Sequence, residues 1–300
     1  MRDDYTLSDT KDMRISKSKS NEHVYASGLW IRNFAKPNSL AVNRNQITSQ
    51  EDQRVLVSNE KMNDRLNLAN IANEEVEFPK VVIVSDGYNF EERHKIIKQF
   101  PSDVSVIAVN GALKKWGMSN REDMENFRTI NVYLVNNPYP ECMRYLPNKN
   151  NKYHPTCIAS SRTYPEFLRQ YKGNMYLYTP TPEYEFGYEK LSKYKIDDYR
   201  NPICGAIGLA YRFKAKKVML LCCDDAFEDQ REAALQLENE LWAYPQQKLA
   251  EKIIDANLFW LRRSGEDMQI SSYSSGANYA NAVYIKTDEE AIQFFKDEED

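Results

Sequence analysis

Asp224 and Asp225 follow the most apolar run of the chain, Val218-Met-Leu-Leu-Cys-Cys. Two carboxylates at the end of such a run could hold Mg²⁺ through water and substrate phosphates, or cap the helix that comes next. Asp224 is the stronger candidate because it lies nearer the run. Arg162, behind Ser160 and Ser161, carries the guanidinium best suited to grip a phosphate bidentately; its alternative is a surface ion pair. His154, just before Pro155, is a candidate general base by its ordinary titration range, or a solvated loop residue. Ser85, Asp86, Gly87, Tyr88 and Asn89 form a turn in which Gly87 permits close backbone approach to a ligand. Asp86 would repel phosphate there unless it held a cation or a ligand hydroxyl; a helix cap is the alternative. Asn110 and Gly111, Asn136 and Asn137, Thr179, and Ser274, Ser275 and Gly276 complete the set. Small amides, hydroxyls and glycines of this kind hold phosphate or ribose, with helix N-termini adding partial positive charge.

Apart from His154, these residues share one property: each follows a short apolar run. Val81–Val84, Val104–Val109, Ile130–Val135, Thr156–Ala159, Met175–Tyr178 and Lys217–Leu221 are such runs, separated by amphipathic stretches. A final pair lies at Met268–Tyr273 and Ala282–Ile285. Near-continuous apolar strands alternating with helices imply an α/β, Rossmann-like fold: a mostly parallel sheet with helices on both faces. In such a sheet ligands bind beyond the carboxyl ends of the strands, so the polar residues above are predicted to share one edge. The expected domain spans 79–300. Residues 1–78 read as a polar, partly helical and partly flexible N-terminal arm, with a helix start at Ser49-Gln-Glu-Asp and a stop at Pro79. A lone glycine in the first turn falls short of the dinucleotide G-x-G-x-x-G, and no Walker A lysine pattern occurs.

The bulk composition narrows the function classes. A formal net charge of -4, from 40 Lys+Arg against 44 Asp+Glu, gives no positive field for nucleic acid. No apolar run approaches the roughly 20 residues of a membrane span. Met1–Ser20 is polar and carries acids early, unlike a secretory or transit signal. Five cysteines (Cys142, Cys157, Cys204, Cys222, Cys223) show no C-x-x-C spacing, and three scattered histidines offer no zinc pattern, so thiols in a reducing cytoplasm are expected.

Asn201-Pro-Ile-Cys-Gly-Ala-Ile-Gly-Leu-Ala-Tyr-Arg-Phe-Lys-Ala-Lys-Lys-Val-Met-Leu-Leu-Cys-Cys-Asp224 resembles the helix–strand–Asp signature of the MptE-like Rossmann family. That family includes archaeal 6-hydroxymethylpterin diphosphokinases and Maf-type flagellin glycosyltransferases, and it is distantly similar to sialyltransferases. Val106-Ile-Ala-Val-Asn-Gly-Ala-Leu113 is similar to its second strand, and Tyr273-Ser-Ser-Gly276 with Asn281-Ala-Val-Tyr-Ile285 to its closing strand pair. The first turn departs from the family's G-x-G-P-S. The resemblance implies a transferase with a nucleotide donor, ATP or a nucleotide sugar, and a small phosphate-bearing substrate. The leading expectation is Mg²⁺-dependent diphosphate transfer to a hydroxymethylpterin-like alcohol, with Asp224 on the metal, Arg162 and the Ser85–Asn89 amides on phosphates, and Asn110 on ribose or base. The alternatives are a glycosyltransferase acting on a surface glycan or protein, and a non-catalytic scaffold. Self-association through residues 1–78 is a further expectation.

Overall fold

Strand residues in this chain alternate between two apolar cores, and that alternation organises the molecule. The computed structural model describes residues 16–17, 24–26, 29–31, 50–87, 90–119, 130–147, 154–181, 195–196, 198, 201–223, 253–259, 261, 268–274 and 279–296. In chain order the elements are β1 (Ser16–Lys17), β2 (Val24–Ala26), β3 (Leu29–Ile31), α1 (Gln50–Asp64), β4 (Ala69–Asn70), β5 (Lys80–Val84), α2 (Phe90–Arg93), β6 (Val104–Val109), α3 (Ala112–Ser119), β7 (Ile130–Val135), β8 (Thr156–Ser160), α4 (Pro165–Gln170), β9 (Met175–Pro180), β10 (Lys195–Ile196), α5 (Pro202–Arg212), β11 (Lys217–Leu221), β12 (Gln269–Tyr273), β13 (Val283–Tyr284) and α6 (Asp288–Lys296). Residues 253–259 are also helical.

β1–β3 form a small antiparallel ladder. The main sheet has ten strands in the order β10-β9-β8-β7-β6-β5-β11-β12-β13, with β4 added beside β9. Every pairing in it is parallel. The chain runs outward from β5 to β10, and α5 then returns it to β11 on the other side of β5. The strand order therefore reverses between β5 and β11, the topological switch point of an open α/β sheet.

The period-two side-chain alternation of a strand builds the two cores. Val81, Ile83, Ile107, Val109, Val132, Leu134, Ile158, Val218 and Leu220 face α5 and the helical residues 253–259. Val82, Val84, Val106, Ala108, Tyr133, Val135, Cys157, Ala159, Met219 and Leu221 face Phe90, Leu113, Trp116, Phe167 and Phe295 on the other helices. Strands buried on both faces need apolar side chains at nearly every position, which is why they read as unbroken runs.

One predicted helix comes out differently. The stretch Glu91–Phe100, expected as one helix, is a single α-turn followed by a 3-10 segment, His94–Gln99. Arg93 has helical angles but gives no cap, and His94 Nδ1 lies 2.6 Å from the Phe90 carbonyl. The stretch Gln230–Trp242 lies outside the described residues, and of Gln246–Arg263 the described part is helical at 253–259. On α5, Asn201 caps the first turn through its side chain, accepting from Ile203 and Cys204 backbone N–H at 2.8 and 3.3 Å. Gly205 and Gly208 let α5 lie close to the sheet: a Cβ on Gly208 would meet Ile196 at 2.5 Å, and one on Gly205 would meet Tyr178 Oη at 3.2 Å. All five cysteines are buried thiols, and adjacent Cys222 and Cys223 point into opposite cores.

Candidate functional site

The carboxyl edge of the sheet carries two groups of polar residues. The first sits at the switch point. After β5, Ser85 N–H donates to Leu221 C=O and Gly87 N–H donates to Cys222 C=O, both at 3.1 Å. After β11, Cys223 N–H donates to Ser274 Oγ at 3.0 Å. Cys222 takes the left-handed conformation, φ 52, which ends the strand sharply and throws the next residue into the opposite core. The Asp86 carboxylate lies directly over Gly111, where a Cβ would come within 2.1 Å of Oδ2. Lys115 Nζ donates to the Asp86 carbonyl at 3.0 Å. Tyr88, Asn89, Asp224, Asp225, Ser275 and Gly276 lie outside the described residues.

The second group lies over β6, β7 and β8, where a cleft of about 240 Å³ opens. Its polar lining is Asn110, Asn136, Asn137, Ser160, Arg162 and Asp198. Each is set by its strand. Asn110 ends β6 with φ 42, a left-handed geometry that asparagine tolerates better than most residues. Its backbone is fixed on both sides: its N–H donates to Leu134 C=O at 2.9 Å, and its C=O accepts from Tyr133 Oη at 2.8 Å. The side-chain Oδ1 is buried with no hydrogen-bond partner. Asn136, 7% exposed, follows β7, with its side-chain amide beside the Tyr178 hydroxyl. Asn137 spends its Oδ1 on Tyr139 N–H at 2.9 Å, an Asx turn that shapes the rim around Pro138. After β8, Ser160 Oγ accepts from Arg162 N–H at 3.2 Å, and Thr163 Oγ1 donates to Val135 C=O at 3.0 Å.

Asp198 was not foreseen. It is 4% exposed, two residues past β10, and accepts from Tyr178 Oη at 2.8 Å. Desolvation pushes the Tyr178 hydroxyl well above its ordinary range, and the negative charge of Asp198 adds to the rise. The ring of Tyr178 is core, and its hydroxyl is the handle that orients the carboxylate. Nothing in Lys195-Ile-Asp-Asp marks Asp198 in the sequence. Its place depends on a two-residue strand pairing with β9.

The outer wall comes from α1, whose Leu56 lines the cleft. Asn59 Nδ2 donates to the carbonyls of Pro138 and Arg162 at 2.8 and 3.2 Å. Asn63 Nδ2 donates to those of Ser161 and Thr163 at 2.9 and 2.7 Å. Glu60 accepts from Ser161 Oγ at 3.1 Å and faces Arg162 Nε at 3.6 Å. Arg162 thus has an acidic neighbour within ion-pair range.

His154 stands apart. It precedes β8, at the amino end of the strand, with its ring edge-on to Tyr171. The structure does not bring it to the edge that carries Arg162 and Asn110. Thr179, at the end of β9, accepts from Asn70 Nδ2 at 3.2 Å. Among the described residues no group of three His, Cys, Asp or Glu is placed to hold a metal, and no helix is long and apolar enough to cross a membrane.

With this geometry in place, the chain can be set beside known proteins. No protein-family model matches it, and no curated protein matches it. Among solved structures it is similar to the Maf glycosyltransferase from Magnetospirillum magneticum AMB-1, with a TM-score of 0.54 at 10% identity over 80% of this chain. The likeness is one of fold. The chain spans 41% of the length of that protein.

Proposed function

We propose that the chain is a transferase that takes a nucleotide sugar at the carboxyl edge of its sheet and passes the sugar to a hydroxyl acceptor. The observation that carries this reading is the fold shared with the Maf glycosyltransferase. The polar cleft beside the switch point supports it. The same likeness favours glycosyl transfer over the diphosphate transfer to a pterin alcohol that the sequence first suggests.

The reaction balances without a redox partner. The acceptor oxygen attacks the anomeric carbon, and the bond from that carbon to the donor phosphate oxygen breaks. The electron pair leaves with the nucleotide phosphate, and the acceptor proton passes to a carboxylate or to water. Arg162 is the proposed holder of phosphate. Asn110, Asn136 and Ser160 are the proposed contacts to the rest of the donor. Arg162 performs this role by exchanging Glu60 for the ligand. Asp224 and Asp225, outside the described residues, are the carboxylates proposed for Mg²⁺, whose contribution would be neutralising the leaving phosphate; the residue roles above stand without it.

A thermal-shift panel of nucleotides and nucleotide sugars tests the reading, since a ligand that binds the folded state raises the apparent melting temperature by mass action. The expected result is stabilisation by at least one nucleotide sugar, slow release of its nucleotide on incubation, and about tenfold weaker binding in Arg162→Ala. Turnover of ATP with a 6-hydroxymethylpterin, without any response to nucleotide sugars, would overturn it.

A further inference from the structure

Leu56, Asn59, Glu60 and Asn63 stand at the spacing of a single face of α1. On a helix that merely covers a core such a face is apolar. Here only Leu56 is, and the three polar members all reach the chain behind β7 and β8. Each asparagine spends both of its amide hydrogens. Asn59 donates to the carbonyls of Pro138 and Arg162, and Asn63 to those of Ser161 and Thr163. Three successive carbonyls, Ser161 to Thr163, therefore hang from two side chains about one helical turn apart. Arg162 is the middle one. Its N–H donates to Ser160 Oγ at 3.2 Å, and its Nε stands 3.6 Å from Glu60 Oε2, an ion-pair distance without a hydrogen bond.

This face does not serve the stability of the helix best. Asparagine is a poor residue for a helix interior, and leucine at either position would bury more apolar area. Asn63, fully buried, also leaves its Oδ1 without a hydrogen-bond partner. What the two amides secure is the main-chain course of the segment that carries Arg162, together with the Pro138 rim opposite it; Arg162 and Pro138 both line the cleft. A guanidinium grips an anion at two points in one plane, so a small displacement of its backbone costs much of the grip. We infer that Asn59 and Asn63 are positioning residues for Arg162, holding its segment in the binding geometry before a ligand arrives. The use of Arg162 on phosphate rests on the function proposed above; its positioning by α1 does not.

The first test needs no ligand. The Arg162 Nε–H signal of ¹⁵N-labelled full-length protein, assigned by its loss in Arg162→Lys, is compared by NMR across variants of α1. It should move or broaden in Asn59→Ala and Asn63→Ala. Asn59→Asp keeps the shape but offers no donor, and should perturb the signal at least as much. Val57→Gly weakens the helix at an exposed position and should leave the signal in place. A wild-type signal in folded Asn59→Ala or Asn59→Asp overturns the inference, as does an equal perturbation in Val57→Gly. Asn59→Ala decides the matter should Asn63→Ala fail to fold. The second test is a double-mutant cycle of Asn59→Ala and Arg162→Ala, read by calorimetric titration with sodium pyrophosphate. Each single variant should bind about tenfold more weakly, and the double variant no more weakly than either, because the asparagine acts through the arginine. A double variant about a hundredfold weaker means that Asn59 meets the anion on its own, and overturns the inference. Pyrophosphate binding that ignores Arg162→Ala refutes the proposed phosphate contact of Arg162, and the signal comparison then decides the positioning by itself.

Discussion

The switch point and the cleft sit on the same edge of one sheet, yet they use their polar atoms differently. At the switch point the described groups are largely stitched to one another: Ser85 and Gly87 to the end of β11, Cys223 to Ser274, and Lys115 to the Asp86 backbone. One strand beyond β5, Asn110 keeps its buried Oδ1 without a hydrogen-bond partner beside a cleft of about 240 Å³. A buried polar group without a partner costs about 1–3 kcal/mol, so a fold holds such atoms where something else is to satisfy them. An unsatisfied strand end is therefore a better place to look for a ligand than topology alone would indicate.

The comparison can be broken most severely through α1. Asn63→Ala strands the carbonyls of Ser161 and Thr163 in a buried place, and at about 1–2 kcal/mol each the loss should total about 3 kcal/mol. Urea unfolding should show it as a lowered midpoint at constant slope. A wild-type midpoint would mean that α1 merely leans on the site.

The switch point breaks next. Gly111→Ala puts a Cβ into the Asp86 carboxylate, an overpacking that should cost about 2 kcal/mol. Adding Asp86→Ala should recover most of it in the same unfolding assay. Absence of recovery would show that the strain lies in the backbone instead.

Tyr133→Phe sharpens the contrast, because the Tyr133 hydroxyl donates to both Asn110 and Tyr145 carbonyls. Its removal should cost about 1.5 kcal/mol near neutrality. Burial also holds the Tyr133 and Tyr178 hydroxyls and the Cys142 and Cys157 thiols well above their ordinary values near 10.0 and 9.0. Their folded values lie above the unfolded ones, so their contribution is intact below pH 9 and declines as pH rises past 9 and 10, where the unfolded chain sheds protons first. Stability measured between pH 8 and 11 should fall, and less steeply in the Phe variant.

The smallest effect is expected at Glu60→Gln. A partly exposed pair of this kind is worth about 0.2–1 kcal/mol, so binding of an anionic donor through Arg162 should strengthen by a few-fold at most. Weakened binding would assign Glu60 itself to the ligand.

The sheet was legible because burial on both faces forces β-branched and apolar residues into unbroken runs; Val81–Val84 and Lys217–Leu221 could be read with no neighbour in view. Asn110, Asn136 and Ser160 were legible as ligand candidates through position alone, since they follow such runs. Asp198 was not, because its strand has two residues and its acceptor role exists only through Tyr178. Nor was the wall. The buried positions of α1 include Leu56, Asn59 and Asn63, two of the three polar, whereas an apolar stripe is what marks a buried helix face in a sequence. Two asparagines four apart on the face of a buried leucine were the available sign, but their acceptors lie 79 to 103 residues downstream. The 3-10 turn after α2 follows from packing of His94 on Phe90 and Trp116, which propensity does not encode.

Strand β5 lies between β6 and β11, and its two edges are completed at very different moments of synthesis. One is covered as soon as residues 104–109 leave the ribosome; the other waits for residues 217–221. Until then Val81–Val84 presents an open backbone edge flanked by apolar faces, the kind of surface that recruits foreign strands. Nascent chains stalled before residue 217 should therefore depend on chaperones far more than the completed protein does.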